Sequence, residues 1–151
     1  MRYLFFLILL LAACQPAANT SINSVAETAI SPLPTLAPNL VSLGEVIYVQ
    51  QCASCHGINL EGQPDWKIQN EDGSFRAPPH DATGHTWHHG DPTLLEAVRS
   101  GGTRFADMTI GGSSNMPAFA ESLTDEEITA VLTYIKSNWS EENQAWQQEA
   151  T

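Results

Sequence analysis

Basic side chains are scarce in this chain: six Lys and Arg stand against seventeen Asp and Glu, for a formal charge of −11 over 151 residues. Phosphate backbones are bound by clustered Lys and Arg, so this shortage argues against nucleic acid as a partner. It argues equally against adhesion to anionic lipid by charge alone. Cysteine is sparse too, with only Cys14, Cys52 and Cys55; each is assigned separate chemistry below, which leaves none for a structural disulfide. The apolar run Leu4 to Leu11 is too brief to span a bilayer stably. No run alternates apolar and polar residues over the length of a strand, so the expected class is all-α. The length suits one modest domain, and no stretch suggests a second core.

What the N-terminus does hold reads as an export signal. Arg2 supplies the positive charge, Leu4 to Leu11 the apolar core, and Leu11-Ala12-Ala13-Cys14 closes it. Those four residues match the lipobox of bacterial lipoproteins, in which cleavage leaves the cysteine as a lipidated N-terminus. The competing reading is an ordinary secretory signal with a chance cysteine at its cleavage site. Residues 1–13 are accordingly expected to be a signal peptide and Cys14 the lipidation site, where two or more acyl chains give a stable anchor. Cleavage removes Arg2 and no acidic residue, which takes the formal charge from −11 to −12. The expected location is extracytoplasmic, periplasmic or at the cell surface, tethered to a bacterial membrane.

Residues 14–40 are rich in Ala, Ser, Thr, Asn and Pro, with Pro32, Pro34 and Pro38 disfavouring helix, and read as a linker. The globular domain is expected over 41–139. Ser42-Leu43-Gly44-Glu45 has the pattern of a capping box, predicting a helix from there to about Ala53. Residues 57–90 carry five glycines and three prolines, and so long a stretch of loop calls for something else to order it, such as a buried prosthetic group. Asp91-Pro92 reads as N-cap and first helical position of a short helix through Leu94, Leu95 and Val98, stopped by Gly101-Gly102. A further glycine-rich loop holds Met108 and Asn115-Met116-Pro117. The strongest helix is the last of the domain: Thr124 caps it, Asp125, Glu126 and Glu127 suit its positive end, and Ile128, Val131, Leu132 and Ile135 form one face. Residues 140–151 form a polar extension in which Ser140 caps a short helix through Trp146.

Cys52-Ala53-Ser54-Cys55-His56 is the attachment pattern of c-type haem. Two thiols three positions apart on a helical turn reach the two vinyl groups of one porphyrin, and the adjacent histidine meets the iron from the proximal side. A thioredoxin-like redox pair would need a βαβ setting that is missing. A zinc site would need a second C-x-x-C, which the chain lacks.

From Gly44 to about Trp139, two-thirds of the chain, the sequence resembles a class I cytochrome c. The resemblance rests on Gly44 and Tyr48 ahead of the motif, on Cys52 to Gly57, on Asn115-Met116-Pro117-Ala118-Phe119, and on a closing helix with Tyr134-Ile135. It implies one covalently held haem c wrapped by three to five helices, with the first and last crossing closely at Gly44 and sealed by Tyr48 and Tyr134. It also implies one-electron transfer with no catalysis and no small-molecule substrate. The axial ligands implied are His56 and Met116; a thioether favours Fe(II) and raises the potential relative to a second imidazole. Met108 is the rival methionine, and reads better as filler or a loop contact. A proline carbonyl is implied as acceptor for the other nitrogen of His56, with Pro78 and Pro79 both candidates. Arg76 and Trp87 are candidates for the haem propionates, against a solvated arginine and a packed tryptophan.

His80, His85, His88 and His89 form a cluster that a plain carrier does not require. A second metal, for which imidazoles suit copper, stands against surface or propionate-contacting histidines. The expected partners are redox proteins, a donor and an acceptor, drawn through basic docking patches to an acidic surface. An electron-entry subunit of a larger dehydrogenase or oxidase fits the same features. A haem peroxidase or sensor would need an open iron, against which Met116 argues.

Overall fold

The computed structural model describes residues 36–102 and 113–151, all of them within the unit Pro32–Thr151. The signal segment, Cys14, most of the linker and Met108 lie outside the described residues. Five α-helices are seen among the described residues: α1 (Pro38–Gln51), α2 (Ala53–His56), α3 (Asp91–Ser100), α4 (Asp125–Ser137) and α5 (Glu141–Glu149). A 3-10 turn at Thr86–His88 interrupts the long loop between α2 and α3. One two-residue parallel pairing joins β1 (Ser74–Phe75) to β2 (Ser113–Ser114), in register Ser74 with Ser113. The fold is all-α, as expected.

Two helix starts differ from the sequence expectation. α1 begins at Pro38, not at the Ser42 box. Proline has no N–H to lose and a φ already set for helix, so the first turn forms on it. Ser42 is then one turn inside, where its Oγ donates to the Pro38 carbonyl at 3.2 Å instead of capping. In α3 the N-cap is Gly90, and Asp91 is the first helical residue. Its carboxylate is thereby released to bind Lys136 of α4 and the Gln147 amide of α5.

α4 forms where the sequence places it, with a complete capping box. Thr124 Oγ1 accepts from Glu127 N at 3.2 Å, and Glu127 Oε2 accepts from Thr124 N at 2.8 Å. Its inner face is Ile128, Val131, Leu132 and Ile135, all buried, spaced three and four apart. Against it lies α1, whose Gly44, Ile47 and Tyr48 are its buried residues. Tyr48 and Ile128 are wholly enclosed, and burying each large side chain contributes about 1.5–3 kcal/mol. The rings of Tyr48 and Tyr134 meet with centroids 5.3 Å apart.

The polar extension folds back. Ser140 Oγ accepts from Asn143 N at 3.2 Å, and α5 then brings Gln147 inward, where it is buried. Gln147 Nε2 donates to Asp91 Oδ1 at 2.6 Å, which pins α5 beside the start of α3.

The close approach of α1 and α4 depends on a missing side chain. A Cβ built on Gly44 would overlap the Ala130 carbonyl and crowd Cβ of Tyr134. Neither is the flexible end of a side chain, so the helices themselves would have to part. Gly44→Ala is expected to cost about 1–3 kcal/mol, despite alanine's better helix propensity. Urea unfolding of the purified domain checks this; a variant as stable as its parent would refute the tight crossing.

Candidate cofactor site

The site is built on one helical turn. α1 ends at Gln51, and Cys52 starts the next turn: its carbonyl accepts from Cys55 N at 3.1 Å and from His56 N at 2.9 Å. Residues three apart on such a turn share a side, so Cys52 and Cys55 lie together. Cys52 is half-buried and Cys55 exposed, and the two are not disulfide-bonded.

His56 is buried, and its Nδ1 lies 2.9 Å from the Pro78 carbonyl. A carbonyl can only accept, so Nδ1 carries the proton and Nε2 is left with a lone pair. Burial is the main cause holding the imidazole below its ordinary pKa, with the Pro78 bond opposing it. The neutral form is the one that binds a metal. Of the two candidate prolines, then, Pro78 meets His56. The Pro79 carbonyl accepts a long 3.5 Å bond from Thr86 Oγ1.

Three features deliver that carbonyl. Gln63 and Ala77 are tied twice, Gln63 N to the Ala77 carbonyl and Ala77 N to Gln63 Oε1, both at 2.9 Å. Gly62 donates to the His56 carbonyl at 2.7 Å with φ at +69°, and a Cβ there would strike the Pro78–Pro79 peptide. Leu60 holds φ at +68°, an uncommon state for a leucine. Its side chain is in the core, and its carbonyl accepts from His80 N at 2.8 Å, which over-determines the strained backbone. A glycine sixteen residues before Pro78 was the only sequence signal for this approach, and among so many loop glycines it did not stand out.

The four histidines of the cluster make different ring contacts. His80 stacks on His56, centroids 4.1 Å apart and planes 20° from parallel. Its Nδ1 hydrogen-bonds Thr86 Oγ1 at 2.9 Å, and its carbonyl accepts the Trp139 indole N–H at 2.7 Å. Burial, reinforced by the neighbouring His56, holds His80 well below the ordinary imidazole pKa, so it too is neutral. His85 stacks on Trp66 and meets His89 edge-on, while His88 stacks on Trp87 at 3.7 Å. Among the described residues, no group of three or more His, Cys, Asp or Glu converges on a metal position. Grouping the histidines by their closeness in sequence hid the individual place of His80.

Arg76 braces its own loop. Its Nε donates to Asn70 Oδ1 at 3.0 Å, and one terminal nitrogen lies 3.3 Å from the Pro64 carbonyl and 3.9 Å from Asp65. Trp87 is packed against the core cluster, yet its buried indole nitrogen has no partner among the described residues. Met116 is half-buried, and its carbonyl accepts from Gly102 N at 2.8 Å, at the end of α3. Phe119, three residues on, is buried with its N–H shared between the Val98 and Arg99 carbonyls at 3.1 Å.

A family model described as cytochrome c matches residues 41–139. No curated protein and no solved structure matches the chain. The matched family implies a covalently bound haem c, and the residues here fit it. Two thiols share one turn, a neutral imidazole offers a lone pair, and an orphaned indole N–H awaits an acceptor such as a carboxylate. If that acceptor is a propionate, Trp87→Phe uncovers its negative charge and favours the oxidised iron. The expected outcome is a lower reduction potential, measured by redox titration. A lower urea midpoint with an unchanged potential would mean that Trp87 only packs.

Proposed function

The chain belongs to the cytochrome c family, carries haem c and serves electron transfer; from that premise we propose a monohaem class I carrier with His56 and Met116 as axial ligands. It is exported as a lipoprotein and held by Cys14 on the extracytoplasmic side of a bacterial membrane. The observation that carries the reading is the hydrogen bond from His56 Nδ1 to Pro78, set within Cys52-Ala53-Ser54-Cys55-His56. It fixes the tautomer and aims a proton-free nitrogen away from the bond, as an axial ligand requires.

Bound there, the haem supplies an iron that takes up and releases one electron. Everything else falls to the chain. Cys52 and Cys55 hold the group in thioether linkage, which matters in a domain too small to enclose it. Pro78 and the stacked His80 keep the His56 ring from turning. Met116 offers a neutral, polarisable sulfur, which stabilises Fe(II) more than a second imidazole would.

The charge points to the partner class. Asp125 and Glu126 in the first turn of α4 and Glu141 and Glu142 in that of α5 are exposed. Arg99 and Lys136 are both engaged by acids, Asp125 and Asp91. An acidic surface of this kind speeds encounter with donors and acceptors that bear basic patches, most strongly at low salt.

Absorption spectra of the haem-loaded protein, oxidised and reduced, test the ligand set. A low-spin c-type spectrum with a weak far-red band in the oxidised state, unaffected by carbon monoxide, is expected. A high-spin spectrum or ready carbon monoxide binding would overturn it in favour of an open iron and a peroxidase or sensor. The tether has its own test: Cys14→Ser should move the protein from the membrane to the soluble fraction. Persistent membrane association would count against the lipid.

A further inference from the structure

Ser74, the single serine of residues 57–90, is fully enclosed at 1% exposure, although the nearby Glu71 and Asp72 are exposed. A hydroxyl so buried has one proton and two lone pairs to satisfy, and here all three are used. Its Oγ donates to Asp72 Oδ1 at 2.6 Å, and accepts from Asn70 Nδ2 at 3.0 Å and from Asn115 Nδ2 at 3.1 Å. The orientation of Asn70 is not arbitrary, because its Oδ1 takes the Arg76 Nε–H at 3.0 Å. Asp72 Oδ1 also accepts Ser74 N at 2.9 Å, so the loop 70–76 is closed on itself before it touches anything else. The third bond leaves the loop. Asn115 lies 41 residues further along the chain and is the immediate neighbour of Met116.

The contact is continued by backbone. Ser113 N donates to the Gly73 carbonyl at 3.2 Å, and Ser74 and Phe75 run in parallel register beside Ser113 and Ser114. Ser114 Oγ then accepts from Met116 N at 3.2 Å. From the other side Gly102 N holds the Met116 carbonyl at 2.8 Å. The segment 113–117 has no helix of its own, so these two grips define where the methionine stands. A thioether is a weak ligand and cannot pull a free loop into place. The order must come from the protein.

We propose that Ser74 is a positioning residue for Met116, acting through Asn115: the closed 70–76 loop is a brace that holds the methionine segment at the iron. The inference rests on the reading of Met116 as axial ligand and assigns Arg76 a part in it, as the residue that orients Asn70.

The test uses the full chain loaded with haem, titrated with imidazole as a competing ligand for the iron. Ser74→Ala removes the hub, and Asn115→Ala, at an exposed position, removes only the link and leaves the core alone. Both are expected to bind imidazole roughly three- to tenfold tighter than the parent and to weaken the far-red band, the change that one lost hydrogen bond produces. The double variant is expected to do no more than either single one. Parental imidazole affinity and an intact band in Asn115→Ala would overturn the brace, even if Ser74→Ala unfolds more easily. Met116→Ala separates the two levels. If it leaves the oxidised spectrum unchanged, the methionine is not the ligand, and the His/Met reading falls together with this inference.

Discussion

The hydrogen bond between His56 and the Pro78 carbonyl organises the rest of the molecule. By itself it is worth only about 0.5–1.5 kcal/mol net. Its importance is geometric: one ring nitrogen is occupied, the other is made a donor of electrons, and the loop from Gly57 to Gly90 acquires a fixed point. The loop repeats that solution nearby. Leu60 sinks its side chain into the core and its carbonyl accepts from His80 N, and the His80 carbonyl takes the Trp139 indole N–H from just beyond α4. Each of these contacts ties an irregular segment to the rigid crossing of α1 and α4.

The two sides of the candidate site are therefore built differently. His56 closes α2, directly after α1, and its turn packs through Cys52 and Ala53 against the core cluster that holds Tyr48, Ile128 and Val131. Met116 stands on a segment gripped by side-chain amides and by the end of α3. Burial of apolar surface is non-directional and strong in sum, whereas hydrogen bonds between polar loops are directional and individually modest. One side is thus held by packing, the other by orientation. Under the proposed His56 and Met116 ligation, the weaker ligand stands where small changes in loop chemistry can adjust it without unsettling the fold.

Charge follows the same economy. Asp125, Glu126 and Glu127 complement the positive end of α4, and two of the three face water. Asp91 shows the opposite use. Displaced from the N-cap by Gly90, it turns to Lys136 and Gln147, and so joins α3, α4 and α5.

What the sequence determined by itself was whatever depends on neighbours within a turn or two. The haem motif, the capping box and inner face of α4, the stop at Gly101 and the Ser140 cap could all be read, because capping, periodicity and ligand spacing are short-range. Where local rules competed, as at Pro38 against Ser42, the residue with less to lose at a helix start prevailed. The close crossing of α1 and α4 came from resemblance and not from any local rule. Only the tertiary structure decided between Pro78 and Pro79, since both have a carbonyl and the choice depends on Gly62 letting one approach. The same holds for His80 on His56, for the inward turn of Gln147 and for Ser74 beside Asn115, whose partners lie 24, 56 and 41 residues away. Such pairs carry no local pattern: each is two ordinary polar residues until the packing of the helices brings them within 3 or 4 Å.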